Sequence, residues 1–290
     1  MKKEMISGKT KVCGIIGDPI EHSMSPVMHN AAFKKLGLDY VYLAFGVKQT
    51  ELGEAIDGVR ALNIKGLSIT IPHKIAAIQF LDEMDTLADK IGAINTIVNR
   101  NGVLKGYNTD ASGFLQALLE REIEPKGKKV VILGAGGASR AISFILAERG
   151  ADLVILNRTW DKAKVCADRI SEIFQSEARA LELNGENLAT ALGQADILVN
   201  TTSVGMDPDI TETPVTANLL KPSLVVFDIV YNPIETRLHK EAEAVGATVI
   251  GGVEMLVWQG VVAFEKWTGL KAPVELMRDE VIKVLQRHEN

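Results

Sequence analysis

Cysteine and histidine are scarce in this chain of 290 residues, and the chain has no excess of positive charge. The two cysteines, Cys13 and Cys166, lie far apart, and the five histidines have no ligand spacing. We therefore expect neither a disulfide framework nor a metal site, and both thiols to be buried. The net charge is −5 and no basic run is present, which argues against nucleic acid as a partner.

Long apolar runs are also missing. Residues 1–9 are charged and lack the apolar segment of a signal peptide, and no run approaches the ~20 apolar residues that cross a membrane. The sequence therefore predicts a cytoplasmic enzyme or binding protein that does not act on membranes. Its expected partners are a small-molecule substrate and, as one alternative, a second copy in a homodimer.

Apolar residues, in contrast, make up 47% of the chain, and its length suffices for two domains of ordinary size. From residue 130 to 250, short apolar strands alternate with helical stretches, the pattern of a parallel doubly wound sheet. Two further helices are predicted at 254–267 and 274–286. The predicted fold class is α/β.

A glycine-rich turn stands near the middle of the chain. An apolar strand precedes it and a helical pattern follows it, and the turn itself is Gly134-Ala135-Gly136-Gly137-Ala138. Glycines let the backbone bend tightly and approach a pyrophosphate, while the N-terminus of the next helix attracts the anion. The turn predicts a dinucleotide site, with an ordinary glycine turn of an α/β domain as the alternative.

The strand after this turn, 152–156, ends in Asn157, Arg158 and Thr159. An NAD-preferring site usually has Asp or Glu here, which binds the ribose diol. Arg158 can instead bind a 2′-phosphate through two hydrogen bonds and stack on adenine, and Lys162 adds positive charge one helical turn later. This position predicts NADP as the cofactor, unless Arg158 is only an exposed residue at the start of a helix.

Polar residues follow the first predicted strand, 12–16. In this loop Ser25 precedes Pro26, a pair typical of the N-cap and first position of a helix, here predicted over 27–36. Ser25 is therefore either a helix cap or a ligand-binding residue. Ser23 lies one residue outside the cap, so two hydroxyl groups can face one spot at a helix N-terminus, a suitable place for a carboxylate.

A third strand, 66–70, is cut off by Pro72, which places Thr70 and Lys74 at the carboxyl end of a strand. Ligands bind at these ends in open α/β sheets. Lys74 is thus a candidate functional residue, with an ordinary surface lysine as the alternative. His73 is expected to be structural or exposed.

Two helical pieces, 74–82 and 85–91, precede a hairpin whose turn is the Asn-Gly pair at 101–102. Beyond the hairpin, Asp110 stands just before a helical stretch at 113–120. Asp110 is therefore either a helix cap or a functional carboxylate.

Several of these segments together resemble the shikimate dehydrogenase family, and they occur in the family's order. The segments that carry the resemblance are Gly17-Asp18-Pro19-Ile20, His22-Ser23, Ser25-Pro26, His29-Asn30, Thr70-Ile71-Pro72-His73-Lys74, Gly92-Ala93-Ile94-Asn95-Thr96, Gly106-Tyr107-Asn108-Thr109-Asp110, the glycine turn, Asn157-Arg158-Thr159, and Met255-Leu256 with Gln259. Two positions depart from the family, since Ser68 stands where Asn is usual and Ala111 where Gly is usual. The C-terminal segments 251–260 and 267–269 also resemble the quinate/shikimate dehydrogenase branch.

The resemblance implies a two-domain α/β fold. An N-terminal α/β substrate domain is completed by the C-terminal helices, and a Rossmann-like NADP-binding domain lies between them in the chain. The expected boundaries are 1–110 plus 252–290 for the substrate domain and 111–251 for the NADP domain. This arrangement accounts for a glycine turn in the middle of the chain.

The resemblance also implies an activity, the reversible NADP-dependent reduction of 3-dehydroshikimate to shikimate on the route to chorismate and the aromatic amino acids. Reducing a ketone requires a proton donor and a group that stabilises the developing alkoxide. By resemblance, Lys74 and Asp110 are this catalytic pair. Lys74 is then either a deprotonated general base in the oxidative direction or a fixed cation and proton donor that Asp110 orients, and a neighbouring carboxylate favours the second role.

The binding residues follow from the same resemblance. Ser23 and Ser25 would hold the substrate carboxylate. The remaining substrate contacts would be Thr70, Asn95, Asp110, Tyr231 and Gln259. The cofactor contacts would be Gly134, Ala135, Gly136, Gly137, Ala138, Asn157, Arg158, Thr159, Lys162, Thr202, Gly252 and Met255.

Three other interpretations are kept. A quinate/shikimate dehydrogenase that uses NAD or NADP is the nearest. A folate-linked dehydrogenase also has a central dinucleotide domain, but it lacks the ordered motifs. A non-catalytic shikimate- or nucleotide-sensing module belongs to a different class, and the presence of both Lys74 and Asp110 argues against it.

Overall fold

The computed structural model describes residues 6–174 and 177–288. Within these ranges the chain divides into two compact units. The first comprises the residues up to Thr109 together with Val257–Val281, and the second comprises Asp110–Leu256 together with the residues from Ile282 onward. No helix in the described ranges is both long and apolar enough to cross a membrane.

The first unit is built on a mixed six-stranded sheet with the order β2-β1-β3-β5-β6-β4. Its strands are β1 (Lys11–Gly17), β2 (Tyr40–Gly46), β3 (Gly66–Ile69), β4 (Glu83–Met84), β5 (Thr96–Arg100) and β6 (Val103–Tyr107). Its first three helices are α1 (Ser25–Lys35), α2 (Leu52–Ala61) and α3 (Thr86–Ile91). Strands β1, β2 and β3 are parallel, whereas β5 runs antiparallel to both β3 and β6.

The second unit has a fully parallel six-stranded sheet with the order β12-β11-β10-β7-β8-β9. Its strands are β7 (Lys129–Leu133), β8 (Asp152–Asn157), β9 (Arg179–Glu182), β10 (Ile197–Asn200), β11 (Val225–Asp228) and β12 (Thr248–Ile250). The helices from here to the C-terminus are α4 (Thr109–Leu119), α5 (Gly137–Glu148), α6 (Trp160–Phe174), α7 (Gly185–Gln194), α8 (Arg237–Ala244), α9 (Gly252–Thr268) and α10 (Val274–His288). The order reverses between β7 and β10, and ligands of doubly wound sheets bind outside the carboxyl ends at such a point.

The end of α9 completes the first unit. The Trp267 indole N–H donates to the Ile97 carbonyl at 3.0 Å, across 170 residues of sequence. A side chain at Gly66 on β3 would collide with this indole, so glycine leaves the space that the ring fills. Further along α9, a Cβ at Gly260 would collide with Met28 of α1. Helix α9 therefore packs on the N-terminal sheet. The predicted two-domain α/β fold is confirmed.

Two local predictions need correction. Helix α1 begins at Ser25 and not after it, and its N-cap is Met24, which makes no side-chain cap bond. The helix predicted over 74–82 is a short 3-10 helix, Ala76–Phe80. It ends early because the Asp82 carboxylate accepts hydrogen bonds from the Leu104 N–H at 2.7 Å and from Arg60 at 3.0 Å, which ties the chain to the sheet edge.

Candidate active site

Four hydroxyl groups meet at the N-terminus of α1. Ser25 is only 4% exposed and is not a helix cap, so its hydroxyl is left for other contacts. Its N–H donates to the Ser23 Oγ at 3.3 Å, and its hydroxyl is hydrogen-bonded to the Tyr42 phenol. Burial raises the pKa of Tyr42, so the phenol stays protonated and donates to the Ser68 Oγ at 2.8 Å. Of the two serines predicted to bind a carboxylate, Ser25 thus belongs to a buried hydroxyl network, and the half-buried Ser23 accepts from its backbone N–H.

His29 lies one helical turn further along α1 and packs against Tyr42, a member of this network. Its ring is fully buried and stacks on Tyr42, with the ring centroids 4.5 Å apart. Among the described residues neither ring nitrogen finds a hydrogen-bond partner. Burial lowers the pKa of His29 to about 3, so the ring is neutral and acts as an apolar wall.

Thr70 and Lys74 follow the carboxyl end of β3, as predicted. The Thr70 N–H donates to the Ile16 carbonyl at 3.0 Å, and a Cβ at Gly17 would collide with the Thr70 methyl group. Lys74 is half-buried, and its backbone carbonyl accepts from the Ile94 N–H at 2.8 Å. The loop that carries the lysine is therefore bonded to β1 at one end and to the segment before β5 at the other.

His73, between them, is buried and not exposed. Its Nε2 lies 2.7 Å from the Val47 carbonyl oxygen, so the ring ties the lysine loop to the end of β2. This contact gives His73 the structural role that was one of its two expected roles.

Asn95 fixes the corner before α4. Its Oδ1 accepts from the Thr109 N–H at 2.7 Å, and its Nδ2 donates to the Thr109 Oγ1 at 3.0 Å. Asp110 follows directly and is 5% exposed. Because α4 begins at Thr109, Asp110 lies inside the first helical turn and does not precede the helix as its cap, which corrects the predicted start at 113. The carboxylate that the resemblance implies as catalytic is thus held on a rigid helix.

Gln259 lies on α9, half-buried and next to Gly260, the residue that packs on Met28. A Cβ on Gly260 would also lie 3.5 Å from the His29 Nε2. Gln259 is therefore carried on the stretch of α9 that packs against α1, the helix that begins with Ser25.

The glycine turn in the second unit has the geometry of a phosphate site. Gly134 has φ +104°, and a Cβ there would lie 2.6 Å from the Thr201 Oγ1. Gly136 precedes α5, and a Cβ there would meet nothing within 4 Å. The first turn of α5 contains no acidic residue, and its N–H groups lack partners within the helix. The residues present fit a pyrophosphate, because open space and N–H donors coincide.

Positive charge stands at the end of β8. Arg158 and Lys162 are exposed, and within residues 6–174 and 177–288 neither side chain has an ion-pair partner. The Asn157 amide donates to the Thr159 carbonyl at 2.9 Å, which shapes the turn between β8 and α6. An exposed guanidinium at this point fits the predicted 2′-phosphate contact and equally the alternative, an exposed residue just before a helix.

Four further predicted contacts belong to the same unit, the nucleotide contacts Thr202, Gly252 and Met255 and the substrate contact Tyr231. Thr202 follows β10, and Tyr231 follows β11, where burial raises its pKa. Gly252 begins α9, and a Cβ there would lie 2.5 Å from the Val230 carbonyl oxygen, so only glycine fits. Met255 is buried on the same helix.

Sequence reasoning did not assign roles to four buried polar residues beside these sites. They are Tyr42, Ser68, Asn200 and Asp228. Ser68, Asn200 and Asp228 are polar residues at or near the carboxyl ends of apolar strands, which is a usable signal. A doubly wound sheet with this turn and this guanidinium, joined in one chain to a second α/β unit, defines a dinucleotide-dependent oxidoreductase with a separate substrate domain.

Comparison with known families identifies the class more closely. Residues 15–97 match the shikimate dehydrogenase substrate binding domain, residues 117–249 match the shikimate / quinate 5-dehydrogenase model, and residues 252–282 match the shikimate 5'-dehydrogenase C-terminal domain. The chain therefore belongs to the shikimate dehydrogenase family.

Individual relatives agree with this assignment. A protein of Methanopyrus kandleri named shikimate dehydrogenase (NADP(+)) is 52% identical over 97% of this chain and 98% of its own. A crystal structure of a shikimate dehydrogenase in complex with NADP+ has a TM-score of 0.93 at 46% identity, covering 97% of this chain and 98% of that chain. The shikimate 5-dehydrogenase of Listeria monocytogenes, in complex with shikimate and NAD, has a TM-score of 0.89 at 40% identity, covering 95% and 98%.

Proposed function

We propose that the protein catalyses the reversible NADP-dependent reduction of 3-dehydroshikimate to shikimate, a step towards chorismate and the aromatic amino acids. The observation that carries the proposal is the 52% identity, over nearly the full length of both chains, to a protein named for this activity. The exposed Arg158 guanidinium at the end of β8 supports NADP as the nucleotide.

The cofactor supplies the hydride, and the chain supplies position and proton. Lys74 holds a positive charge near the substrate carbonyl, where it stabilises negative charge that develops on the oxygen and then donates a proton to it. Asp110 is the second member of the proposed catalytic pair. In the oxidative direction the same proton returns from the substrate hydroxyl to Lys74. The pinned loop around Lys74 and the helical position of Asp110 support these roles.

Substrate recognition rests on hydroxyl and amide groups. Ser23 and Ser25 bind the carboxylate at the N-terminus of α1, where the helix dipole adds to their hydrogen bonds. The substrate hydroxyls meet three side chains of the first unit, which are Thr70, Asn95 and Gln259. A site built from such paired contacts rejects analogues that lack a hydroxyl, because its own polar groups would then be left unpaired.

The nucleotide binds at the carboxyl end of the second sheet. The pyrophosphate lies on residues 134–138 and the N-terminus of α5. The 2′-phosphate binds Arg158 with Lys162 nearby, in the turn that Asn157 and Thr159 shape. Thr202, Gly252 and Met255 complete the cofactor contacts. We also propose a cytoplasmic location, where NADPH is regenerated. A homodimer is one alternative for its assembly, and sedimentation equilibrium distinguishes it from a monomer.

Steady-state kinetics with shikimate and quinate, each with NADP and NAD, tests the proposal. We expect the pair shikimate and NADP to have the highest kcat/KM. Dominant turnover of quinate with NAD would overturn the proposal in favour of the quinate/shikimate branch. The assay includes NAD because the Listeria relative was crystallised in complex with shikimate and NAD.

The catalytic assignment has its own test, Lys74→Ala. We expect kcat to fall by ~10²-fold or more with a much smaller change in the KM for shikimate, because the proton donor is lost while the binding groups remain. Lys35→Ala is the matched control, since Lys35 is exposed in the last turn of α1, at the opposite end from Ser25. An unchanged kcat in Lys74→Ala would remove Lys74 from the mechanism.

A further inference from the structure

Two polar residues are fully buried where the central strands of the second sheet end. Asn200 is 0% exposed and Asp228 is 1% exposed, and they are direct partners in the register of β10 and β11. On the other side of β10, Asn200 pairs with Leu133, the last residue before the glycine turn. Burying an amide and a carboxylate is costly unless their hydrogen bonds are satisfied, so their partners indicate what the two groups do.

The Asn200 amide has one possible orientation. Its Nδ2 donates to the Asp228 Oδ1 at 2.9 Å. Its Oδ1 accepts from the Thr202 N–H at 3.1 Å and from the Thr202 hydroxyl at 2.7 Å. Reversing the amide would turn its NH₂ group towards two donors and its oxygen towards a carboxylate. The carboxylate of Asp228 therefore sets which end of the Asn200 amide faces Thr202.

The Thr202 turn takes its shape from this contact. The Thr202 hydroxyl also accepts from the Val204 N–H at 3.2 Å, which closes a tight local turn after β10. On its other flank, the Thr201 hydroxyl donates to the Leu133 carbonyl at 2.6 Å and lies where a Cβ on Gly134 would sit. The Thr202 turn and the glycine turn are thus held side by side at the point where strand order reverses.

Asp228 has a second set of partners that leads away from the nucleotide site. Its Oδ1 accepts from the Val230 N–H at 3.1 Å, and its Oδ2 accepts from the Thr236 hydroxyl at 2.6 Å. Thr236 is the N-cap of α8 and accepts from the His239 N–H at 3.2 Å. Burial raises the pKa of Asp228, and these hydrogen bonds oppose that rise. The Asp228 carboxylate thus makes two sets of hydrogen bonds that can be removed separately, one to Asn200 and one to Thr236.

We propose that Asn200 and Asp228 are positioning residues for the nucleotide, in which the Asp228 carboxylate orients the Asn200 amide and the amide fixes the Thr202 turn in its binding geometry. The inference rests on the proposed function, because Thr202 is a cofactor contact there. It adds the two buried residues that make this contact rigid. Neither residue touches the nucleotide.

The test compares Asn200→Ala with Thr236→Val. Each variant removes one hydrogen bond to the same carboxylate, and both are expected to lower Tm, but only Asn200→Ala releases Thr202. We expect Asn200→Ala to raise the KM and the calorimetric Kd for NADP by on the order of tenfold, the value of about one net hydrogen bond. The KM for shikimate should change by less than twofold, and Thr236→Val should leave both constants within twofold of wild type.

A conservative pair tests Asp228 itself. Asp228→Ala should weaken NADP on the order of tenfold, as Asn200→Ala does. Asp228→Asn should bind NADP within about threefold of wild type, because the remaining amide oxygen still accepts from Asn200. If Asn200→Ala does not fold, Asn200→Ser takes its place in the comparison with Thr236→Val. Serine keeps a buried hydroxyl group but lacks the amide that binds Thr202.

The outcomes separate the two proposals. If the wild-type protein does not bind NADP in calorimetry, the proposed function fails. If wild type binds NADP and a folded Asn200→Ala binds it within twofold, only the positioning role is overturned. Equal losses in Asn200→Ala and Thr236→Val would also overturn it, because they would indicate a general structural effect.

Discussion

His29 makes the stability of the first unit depend on pH, and the size of this effect follows from its burial. The ring is fully buried, and its pKa falls from the ordinary 6.5 to about 3. In the unfolded chain the ring takes up a proton below pH 6.5, whereas in the folded protein it stays neutral. The unfolded state therefore binds more protons between pH 6.5 and 3, and stability is lost as the pH falls through that window.

The expected loss is large enough to measure. Each pH step of one below 6.5 removes about 1.4 kcal/mol from the free energy of unfolding, which gives about 2 kcal/mol between pH 7.5 and pH 5. Tyr42, the titratable group stacked on His29, stays protonated over this range because burial raises its pKa. His29→Leu should remove this part of the pH dependence, since leucine has no proton to gain.

Urea unfolding at pH 5 and pH 7.5 measures the effect. Trp160 is the tryptophan of the second unit, while Trp258 and Trp267 belong to the first, so a Trp160→Phe background makes fluorescence report on the first unit. Phe33→Leu is the control. Phe33 is 1% exposed beside His29 and cannot titrate, so its loss should lower stability equally at both pH values. Parallel pH curves for wild type and His29→Leu would refute the reasoning.

Two further predictions concern the nucleotide site. Arg158→Ala should raise the KM for NADP by about 10- to 100-fold, the value of a charge-assisted pair, and leave the KM for NAD within twofold; equal losses would count against a 2′-phosphate contact. Gly134→Ala should cost about 1–3 kcal/mol of stability, because φ is +104° and a Cβ would crowd the Thr201 hydroxyl, whereas Gly136→Ala should fold normally in urea titrations and lose NADP affinity alone. Normal NADP binding by Gly136→Ala would place the pyrophosphate elsewhere.

Much of the fold could be predicted because the signals are local. Five of the six strands of the second sheet, all except β9, are apolar runs that end at a glycine or a polar residue. The hairpin between β5 and β6 was predicted from its turn, and Asn101 and Gly102 both have positive φ, 56° and 91°, as that dipeptide favours. β9 was missed because it is a half-exposed edge strand without an apolar run, and β4 because it has two residues.

The site was less predictable, because its geometry depends on residues distant in sequence. Ser25 carries a cap signature, yet the helix starts one residue early and its hydroxyl turns to Tyr42, 17 positions away, a contact that local pattern cannot foresee. Asn200 and Asp228 are 28 residues apart and meet only through strand register. The family resemblance supplied the residues that would touch ligands, whereas the structure supplied the buried partners that hold them.

The bond between the Trp267 indole and the Ile97 carbonyl also sets an order for synthesis. The two residues are 170 positions apart, so at 5–20 residues per second the ribosome needs roughly 10 to 30 s after Ile97 before Trp267 is made. During that interval no indole covers Gly66, and the face of the N-terminal sheet that packs on α9 lacks this helix. The strands of the second sheet, from Lys129 to Ile250, are all synthesised before Trp267. The face of the N-terminal sheet that α9 covers is therefore completed only after every strand of the second sheet has been synthesised.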